Sequence, residues 1–430
     1  MSRENERRRV NRRHLRIATA LAATTAAVAG ITTAQAAPPE HRPEACPTLS
    51  IGQGWHADNK ARLQSLIDEY GTCGDGRGRR PVAVFDWDNT VIKNDVGDAT
   101  MFWMLRNGRI NAPYKNDWHT TSRYLTDDAA NALRQACPAT TGALPTDKNT
   151  ACADEILSVY ADGGTTTGKA AFAGHDHRRM EPSYAWLAQL TRGRTAHQVQ
   201  EFAAAARKEN LAAPIGTKQR VGTKDVTGWA RYYDQQRDLI RALQRAGFDV
   251  WISSASPEPV VEVWARGVGI APGRVIGIRN VTEHGRLTQH LKGCGTVADG
   301  DDSMITYIDG KRCWINQEVY GMRDAAAERV QPAERRPVFA AGDSDTDVSF
   351  LRDATALRLV INRNKAELMC RAYDDSDGRW LVNPMFIEPK KQQAAPYPCA
   401  TTGYTYSDGS SGPVLRGDGS VIEDQKDTVY

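Results

Sequence analysis

The sequence predicts an α/β protein in which a helical insertion of domain size interrupts a parallel-sheet core. Short apolar runs, of the length that a buried strand needs, alternate with helix-like segments on both sides of residues 95–245. Within residues 95–245, strand signals are scarce and helix formers dominate. The chain has 430 residues, of which 40% are hydrophobic and 25% charged, so its composition is globular and excludes a disordered or fibrous protein.

The predicted elements follow from local patterns in chain order. A helix at 57–70 lies between a Pro-rich segment and the Gly-rich connector 71–80, and the apolar run at 82–85 predicts a strand. Apolar spacing and end signals predict further helices at 95–105, 127–135, 183–190, 196–209, 229–246 and 348–352. Pro257 opens another predicted helix, which runs on from that residue. Further strands are predicted from apolar runs at 248–253, 274–279, 338–341 and 357–361, with a hairpin-like segment at 281–307.

These elements divide the chain into four parts. Residues 37–94 and 246–394 are expected to form the α/β core, and residues 95–245 the helical insertion. Residues 395–430 lose apolar periodicity and predict an irregular tail. Residues 1–36 have the features of an export signal and are treated separately.

The export signal combines clustered arginines, an Ala/Thr-rich segment and an A-x-A cleavage site at residues 34–36. Residues 11–15 resemble a twin-arginine signal, but Arg16 stands where that signal usually has an apolar residue, so the route stays open. An uncleaved anchor is the alternative, and the short, Thr-rich segment disfavours it. We expect a secreted or extracytoplasmic protein without stable membrane insertion.

Net charge gives no reason to expect a nucleic-acid partner. Residues 1–36 carry seven arginines and two glutamates, so their removal changes the net charge from +3 to −2. The basic character therefore belongs to the targeting segment and not to the mature chain. The oligomeric state is not predicted.

Eight cysteines, all after the export signal, predict disulfide bonds, because an even count is typical of exported proteins. No CxxC and no Cys/His spacing suits zinc. The expected pairing is between consecutive cysteines: Cys46–Cys73, Cys137–Cys152, Cys294–Cys313 and Cys370–Cys399.

The strand at 82–85 is followed at once by Asp86, Asp88, Asn89 and Thr90. Ligands of open parallel sheets collect beyond the carboxyl ends of strands. Two carboxylates so close together repel each other unless a cation is shared between them, so a divalent metal ion is the simplest explanation. The alternative is a strand that ends in ordinary polar turn residues.

Three more segments bring polar groups to the same predicted edge. The strand at 248–253 delivers Ser254, and Ser253 competes with it; the strand at 338–341 delivers Asp343 and Asp347. Between them, residues 309–311 place a lysine, Lys311, behind a turn. Four such segments in this order argue against the simple turn.

The sequence resembles the haloacid dehalogenase-like phosphatase superfamily in its phosphoserine-phosphatase-type branch. The matching motifs are DWDNT at 86–90, WISSAS at 251–256, DGK at 309–311 and GDSDTD at 342–347. The segment DNTVIKNDVGDA that starts at Asp88 is most similar to bacterial phosphorylcholine phosphatases. The resemblance implies a Rossmann-like core, with residues 95–245 as a helical cap that selects the leaving group.

The resemblance also implies roles for the motif residues. Asp86 would be the nucleophile that forms an aspartyl-phosphate, and Asp88 the general acid/base. Lys311 would stabilise charge in the transition state, and Asp347 would orient Lys311 or a metal-bound water. The implied phosphate ligands are Asn89, Thr90, Ser254 and Lys311. The implied Mg²⁺ ligands are Asp86, Asp88 (through its backbone carbonyl), Asp343 and Asp347.

Several alternatives stay open. Lys311 lies far before Asp343, so Lys292 and Lys365 are other candidates for the third motif. Asp88 argues against dehalogenation, because a halide leaving group needs no acid, but phosphotransfer to another hydroxyl remains open. A non-catalytic phosphate-binding protein on the same fold is the other class, and the four intact acids favour the enzyme.

A large cap favours a small phosphomonoester substrate, and phosphocholine or a related amino-alcohol phosphate is the specific hypothesis. A quaternary ammonium needs aromatic faces and nearby carboxylates. The candidates are Trp103, Tyr114, Trp118, Trp229, Tyr232, Tyr233, Asp95 and Asp98. The alternative is that these aromatic residues form the core of the cap. His175-Asp176-His177 is interpreted as a polar loop, since two histidines without further spaced ligands do not make a metal site.

Overall fold

The computed structural model describes residues 45–73 and 79–430. The predicted export signal at 1–36 lies outside the described residues. The α-helices in the described part are α1 (Asn59–Tyr70), α2 (Val96–Arg106), α3 (Asp127–Ala136), α4 (Thr150–Ala161), α5 (Pro182–Leu190), α6 (Ala196–Ala212), α7 (Asp234–Arg245), α8 (Glu258–Ala265), α9 (Asp309–Tyr320), α10 (Asp324–Ala327), α11 (Val348–Asp353) and α12 (Ala366–Asp374).

The strands in the same part of the chain are β1 (Val82–Phe85), β2 (Ile92–Lys93), β3 (Lys218–Val221), β4 (Lys224–Thr227), β5 (Arg231–Tyr232), β6 (Asp249–Pro257), β7 (Val275–Ile278), β8 (Asn280–Glu283), β9 (Arg286–Leu291), β10 (Phe339–Gly342), β11 (Leu357–Asn362), β12 (Trp380–Pro384), β13 (Tyr404–Thr405) and β14 (Ser411–Gly412). Short 3₁₀ helices are Tyr114–Asn116, Trp118–Thr121, Arg266–Val268, Pro272–Arg274, Ala333–Arg335 and Asp345–Asp347.

Six strands form one parallel sheet in the order β12-β11-β10-β1-β6-β7. Alternate residues of a strand face opposite sides, so β1 supplies two cores. Ala83 and Phe85 pack into one apolar cluster, and Val82 and Val84 pack into a second cluster on the other face. Helices cover both faces because a parallel sheet buries both. The predicted α/β fold class is confirmed.

Residues 96–245 build a separate apolar cluster from α2 to α6, which includes Trp118, Leu133, Ile156 and Trp186. Local capping defines several of these helices. The Asp95 side chain accepts from the backbone N–H of Asp98 at the start of α2, and Thr195 and Gln198 form a capping box on α6. The insertion is not wholly helical, because β3 and β4 pair as an antiparallel hairpin within it.

The sequence patterns missed α4, α9, α12 and β12, and they placed a turn where α9 begins. In α4 and α9 the apolar residues are not confined to one helix face, so no helical period was visible in the sequence. The burial of these elements comes from tertiary packing: Cys152 and Ile156 of α4, Leu368 of α12 and Trp380 of β12 are all nearly inaccessible to solvent. The turn expected at 309–311 is the first turn of α9.

The predicted disulfide pairing is confirmed at all four pairs: Cys46–Cys73, Cys137–Cys152, Cys294–Cys313 and Cys370–Cys399. Such a set indicates an extracytoplasmic protein. In the tail, the short pair β13–β14 is the main regular structure, and Val414, Ile422 and Val429 are buried against the second core cluster. No helix within residues 45–73 and 79–430 is both long and apolar enough to span a membrane.

Candidate active site

The carboxylates of Asp86, Asp343 and Asp347 meet at the carboxyl edge of the sheet. Asp86 follows β1, and its backbone N–H donates to the carbonyl of Ala341 in the neighbouring strand β10 (2.8 Å). One carboxylate oxygen from each residue lies within 4.8 Å of the others, and all three side chains are buried. The two acidic segments of the sequence therefore share one site, and its oxygen donors could hold a metal ion.

Thr90 joins two of these carboxylates. Its hydroxyl lies 3.0 Å from Oδ2 of Asp86 and 2.9 Å from Oδ1 of Asp343. Asn89, before it, adopts a left-handed backbone conformation (φ 62°), and its side-chain oxygen accepts from the N–H of Asn94. Of these two predicted phosphate ligands, Thr90 therefore has its side chain at the carboxylate cluster. The Asn89 side chain instead accepts a hydrogen bond within the loop that follows.

Lys311 lies inside the carboxylate cluster and is fully buried. Its Nζ is 2.7 Å from Oδ1 of Asp86 and 2.6 Å from Oδ1 of Asp347. Burial alone would lower the pKa of Lys311, but the two carboxylates raise it, so the ammonium stays charged. The structure brings Lys311 to the site from helix α9.

The other candidate lysines lie elsewhere. Lys292 pairs with Asp299, and both side chains are partly exposed. Lys365 precedes α12, and its backbone carbonyl accepts from Met369. Neither has a contact with the carboxylate cluster among the described residues.

Asp347 has donors on both carboxylate oxygens. Its Oδ2 accepts from the backbone N–H groups of Asp343 (2.9 Å) and Ser344 (3.1 Å), while Oδ1 accepts from Lys311. Gly342 permits this arrangement, because a Cβ at that position would lie 2.7 Å from the Asp347 side chain. These contacts suit a residue that orients Lys311 better than one that directly ligates a metal ion.

Asp88 points away from the cluster of three carboxylates. Its Oδ1 accepts from the N–H of Val96 (2.8 Å), and its Oδ2 accepts from the hydroxyl of Ser256 (2.9 Å). Burial, followed by the charges of Asp95 and Asp86, raises the pKa of Asp88 well above its ordinary value. A raised pKa lets a carboxyl hold a proton more readily, as a general acid must.

The two candidate serines of β6 differ in their contacts. The hydroxyl of Ser254 lies 3.4 Å from Oδ2 of Asp88 and accepts from the N–H of Ser256. The hydroxyl of Ser253 is buried without a hydrogen-bond partner in the described part of the chain. Ser254 is therefore the serine that lies beside the acids, and Ser256 is a further contact of Asp88 that the sequence did not single out.

Arg363, at the end of β11, is a second residue that sequence reasoning missed. Its guanidinium donates to Oδ2 of Asp343 at 2.6 Å. Burial would lower the pKa of Arg363, but Asp343 raises it. In the sequence, only its position shortly after the predicted strand at 357–361 indicated that Arg363 could lie at the site.

The cluster opens to a cavity that continues into a second one of about 330 Å³, between the sheet edge and the insertion. Asp95, Tyr160, Tyr184 and Arg363 line both cavities. Asp98 and Trp229 line only the larger one, and the hydroxyl of Tyr160 donates to Oδ1 of Asp98 (2.8 Å). Burial and then the charge of Asp95 raise the pKa of Asp98. The larger cavity is therefore acidic and partly aromatic.

Of the predicted aromatic residues, Trp229 lines this cavity. The others have structural or surface positions: Trp103 stacks on Phe202, Trp118 packs on Trp186, Tyr232 packs on Trp264, Tyr233 packs on Phe386, and Tyr114 is exposed. The aromatic faces next to Asp95 and Asp98 are instead Tyr160, Tyr184 and Phe102. The ring centroids of His175 and His177 lie 4.1 Å apart, and neither histidine lines the two cavities.

Comparisons with known proteins identify the family and the fold. A family model described as haloacid dehalogenase-like hydrolase matches residues 83–352. A conserved protein of unknown function from Anaerococcus prevotii DSM 20548 has a similar structure, with a TM-score of 0.54 and 18% identity over 79% of this chain and 94% of that chain. This similarity supports the fold.

Two solved structures with lower TM-scores also match. A protein of unknown function from Bordetella pertussis Tohama I has a TM-score of 0.42 and 17% identity over 72% of this chain and 100% of that chain. A substrate-bound phosphoserine phosphatase has a TM-score of 0.30 and 10% identity over 66% of this chain and 87% of that chain. No curated protein sequence matches this chain.

Proposed function

The chain belongs to the haloacid dehalogenase-like hydrolases, and from this premise we propose that it is a phosphomonoesterase that works through an aspartyl-phosphate. The observation that carries the proposal is the unequal surroundings of two neighbouring acids. Asp86 contacts the ammonium of Lys311, whereas Asp88 contacts only neutral donors and has a strongly raised pKa. The first suits a nucleophile and the second a general acid.

In the proposed reaction, a carboxylate oxygen of Asp86 attacks the phosphorus atom and the bond from phosphorus to the ester oxygen breaks. Asp88 donates its proton to the leaving alkoxide. The resulting Asp88 carboxylate then takes a proton from water, which attacks the aspartyl-phosphate and releases inorganic phosphate. Lys311, Thr90 and Ser254 donate to the phosphoryl oxygens as negative charge gathers there.

The donor set fits Mg²⁺, which prefers hard oxygen ligands. Asp86, Asp343 and the backbone carbonyl of Asp88 would hold the ion, and Asp347 would orient Lys311. The three buried carboxylates pair with only two cationic side chains, Lys311 and Arg363, so their negative charge is not fully neutralised by the protein. The ion would supply that charge and offset the repulsion between the Asp86 carboxylate and a phosphate dianion.

The larger cavity favours a small phosphomonoester with a cationic leaving group, such as phosphocholine or another amino-alcohol phosphate. Two acids with raised pKa values, Asp95 and Asp98, line this cavity together with Tyr160, Tyr184 and Trp229, and a bound cation would favour the ionised forms of both acids. Carboxylates and aromatic rings together attract an alkylammonium group. Residues 95–245 would act as the cap that closes over this leaving group.

The protein would act outside the cytoplasm after export by the segment 1–36, and the four disulfides favour that location. The alternatives are a non-catalytic phosphate-ligand binding protein and a phosphotransferase. Their substrates would bind the same carboxyl edge, so only turnover and the fate of the phosphate separate them from a phosphatase.

A substrate panel on the mature protein tests the proposal. Choline phosphate and ethanolamine phosphate should release inorganic phosphate faster than glycerol phosphate in the presence of Mg²⁺, and EDTA should stop the release. Absence of turnover with every ester would favour the binding protein, while transfer to an added alcohol would favour the phosphotransferase. Equal rates for cationic and neutral leaving groups would contradict the assignment of the acidic cavity.

A further inference from the structure

Besides the two cavities at the carboxyl edge, another polar cavity lies at the opposite, amino-terminal edge of the same sheet. It has a volume of about 190 Å³ and lies where β11 and β12 begin and where α11 and α12 end. The tail covers part of it through Arg416, Gly417 and Ile422. Its other lining residues are Arg352, Arg358, Arg371, Asp374, Ser376, Asp377 and Trp380.

Three of its four arginines already have carboxylate partners. Arg358 donates to Asp377 (2.6 Å), Arg371 donates to Glu367 (2.8 Å), and Arg416 donates to both oxygens of Asp374. Glu367 is also shared with Arg178. These carboxylates are therefore committed to neighbouring guanidinium groups.

Arg352 differs from the other three. Its side chain has no ion pair and no hydrogen bond within residues 45–73 and 79–430. The Arg352 residue is exposed to solvent, unlike Arg358 and Arg371. Partial desolvation, and then the positive charges of Arg371 and Arg312, lower the pKa of Arg352 to about 10, while the charges of Glu367 and Asp353 oppose this shift. A cation that other cations destabilise in this way gains from the arrival of an anion.

The walls are built well enough to hold a ligand. Arg358 and Arg371 are each 7% exposed, and the Nε of Arg358 is buried without a partner in the described part of the protein. The guanidinium of Arg358 lies over the ring of Trp380 at 5.0 Å, which fixes its plane. The cavity volume of about 190 Å³ is ample for a five-atom oxyanion.

We propose that this arginine cavity binds a small tetrahedral oxyanion of the phosphate or sulfate class. Arg352 supplies a guanidinium that has no ion-pair or hydrogen-bond partner among the described residues, Arg358 and Arg371 supply positive charge in the wall, and Ser376 is an exposed lining residue. Guanidinium groups hold such oxyanions through charge-assisted hydrogen bonds. The site is independent of the proposed phosphatase reaction, because it lies at the other end of the strands and needs neither Mg²⁺ nor an ester.

Calorimetric titration of the mature protein with sodium sulfate, and separately with inorganic phosphate, tests this proposal. EDTA is present throughout, so that the acidic active site carries no metal ion to attract anions. We expect one saturable site in the wild-type protein. Arg352→Gln should weaken it by about tenfold or more, the effect of losing one charge-assisted hydrogen bond.

Arg379→Gln is the matched control, because Arg379 is exposed, precedes Trp380 and lines a different groove. It should retain the wild-type affinity. Circular dichroism of both variants checks that each is folded. Absence of a saturable site in the wild-type protein would overturn the proposal, and so would equal weakening by Arg352→Gln and Arg379→Gln or full binding by Arg352→Gln.

Discussion

The two cavities at opposite edges of the main sheet have opposite chemistry. The cavity at the carboxyl edge is lined by Asp86, Asp88, Asp95 and Asp343, whereas four arginines line the cavity at the amino edge. At the carboxyl edge, burial, and then the charges of neighbouring acids, raises the pKa values of Asp86 and Asp88, although Lys311 opposes the shift at Asp86. At the amino edge, most charges are paired. The two edges therefore differ in the sign of the charge they leave for a ligand: buried acids lie at the carboxyl edge, and an arginine without an ion pair among the described residues lies at the amino edge.

The largest expected effect comes from Asp86→Asn, which removes the proposed nucleophile. We expect kcat for the preferred ester to fall by about a thousandfold or more while the protein stays folded. Asp301→Asn, at an exposed ion pair with Arg123, is the matched control and should keep full activity. Residual activity of Asp86→Asn within tenfold of the wild type would remove Asp86 from the mechanism.

The second prediction compares a buried lysine with an exposed one. Lys311→Met leaves Asp86 and Asp347 without their cation and should lower the free energy of unfolding by about 3–5 kcal/mol. Lys292→Met breaks an exposed pair with Asp299 and should cost less than about 1 kcal/mol. Urea unfolding in EDTA measures the free energy of unfolding of both variants. Equal losses would show that Lys311 does not stabilise the two buried acids.

The third prediction concerns pH. Burial raises the pKa of Asp98 above its ordinary value of 3.8, so the folded state keeps this proton to a higher pH than the unfolded state does. The free energy of unfolding therefore falls as the pH rises from 3.8 towards the folded-state pKa. Asp98→Asn removes this contribution and should stabilise the metal-free protein at pH 8 by about 1 kcal/mol or more.

Unfolding of wild type and Asp98→Asn at pH 4 and pH 8 gives the measurement. The difference between the two proteins should be small at pH 4 and larger at pH 8. The same difference at both pH values would mean that the carboxyl of Asp98 titrates normally despite its position.

The smallest expected effect lies at the amino edge. Asp377→Asn frees Arg358 from its carboxylate partner, so the arginine cavity becomes more positive. Sulfate affinity in EDTA should rise by about two- to fivefold, in keeping with the modest worth of a partly exposed ion pair. Weaker sulfate binding would instead mean that Asp377 holds Arg358 in the orientation the anion needs.

Much of the main sheet was predictable because several of its strands are short apolar runs bounded by turn residues. The run at 82–85 coincides with β1, and the runs at 338–341 and 357–361 each match a strand within one residue. The family and the prediction of an enzyme of that family are confirmed. The motif acids come directly after such runs, so their shared edge could be inferred from the sequence.

The missed residues of the candidate site come from elsewhere. Tyr160 lies on α4 and Tyr184 on α5, and only tertiary packing brings them beside Asp95. Most of the aromatic residues chosen from the sequence pack in cores, because a large aromatic ring gains more from burial than from facing a cavity. Arg363 had no motif, and only the position of β11 next to β10 brings it to Asp343.

Because every disulfide joins two consecutive cysteines of the chain, the four crosslinked loops are separate and none encloses another. During synthesis or translocation from the amino end, each second cysteine follows its partner by no more than 29 residues. If each bond closes in turn, the newest thiol meets a single free partner. The order in which the chain emerges then selects the correct pairing, without the slow reshuffling that interleaved crosslinks require.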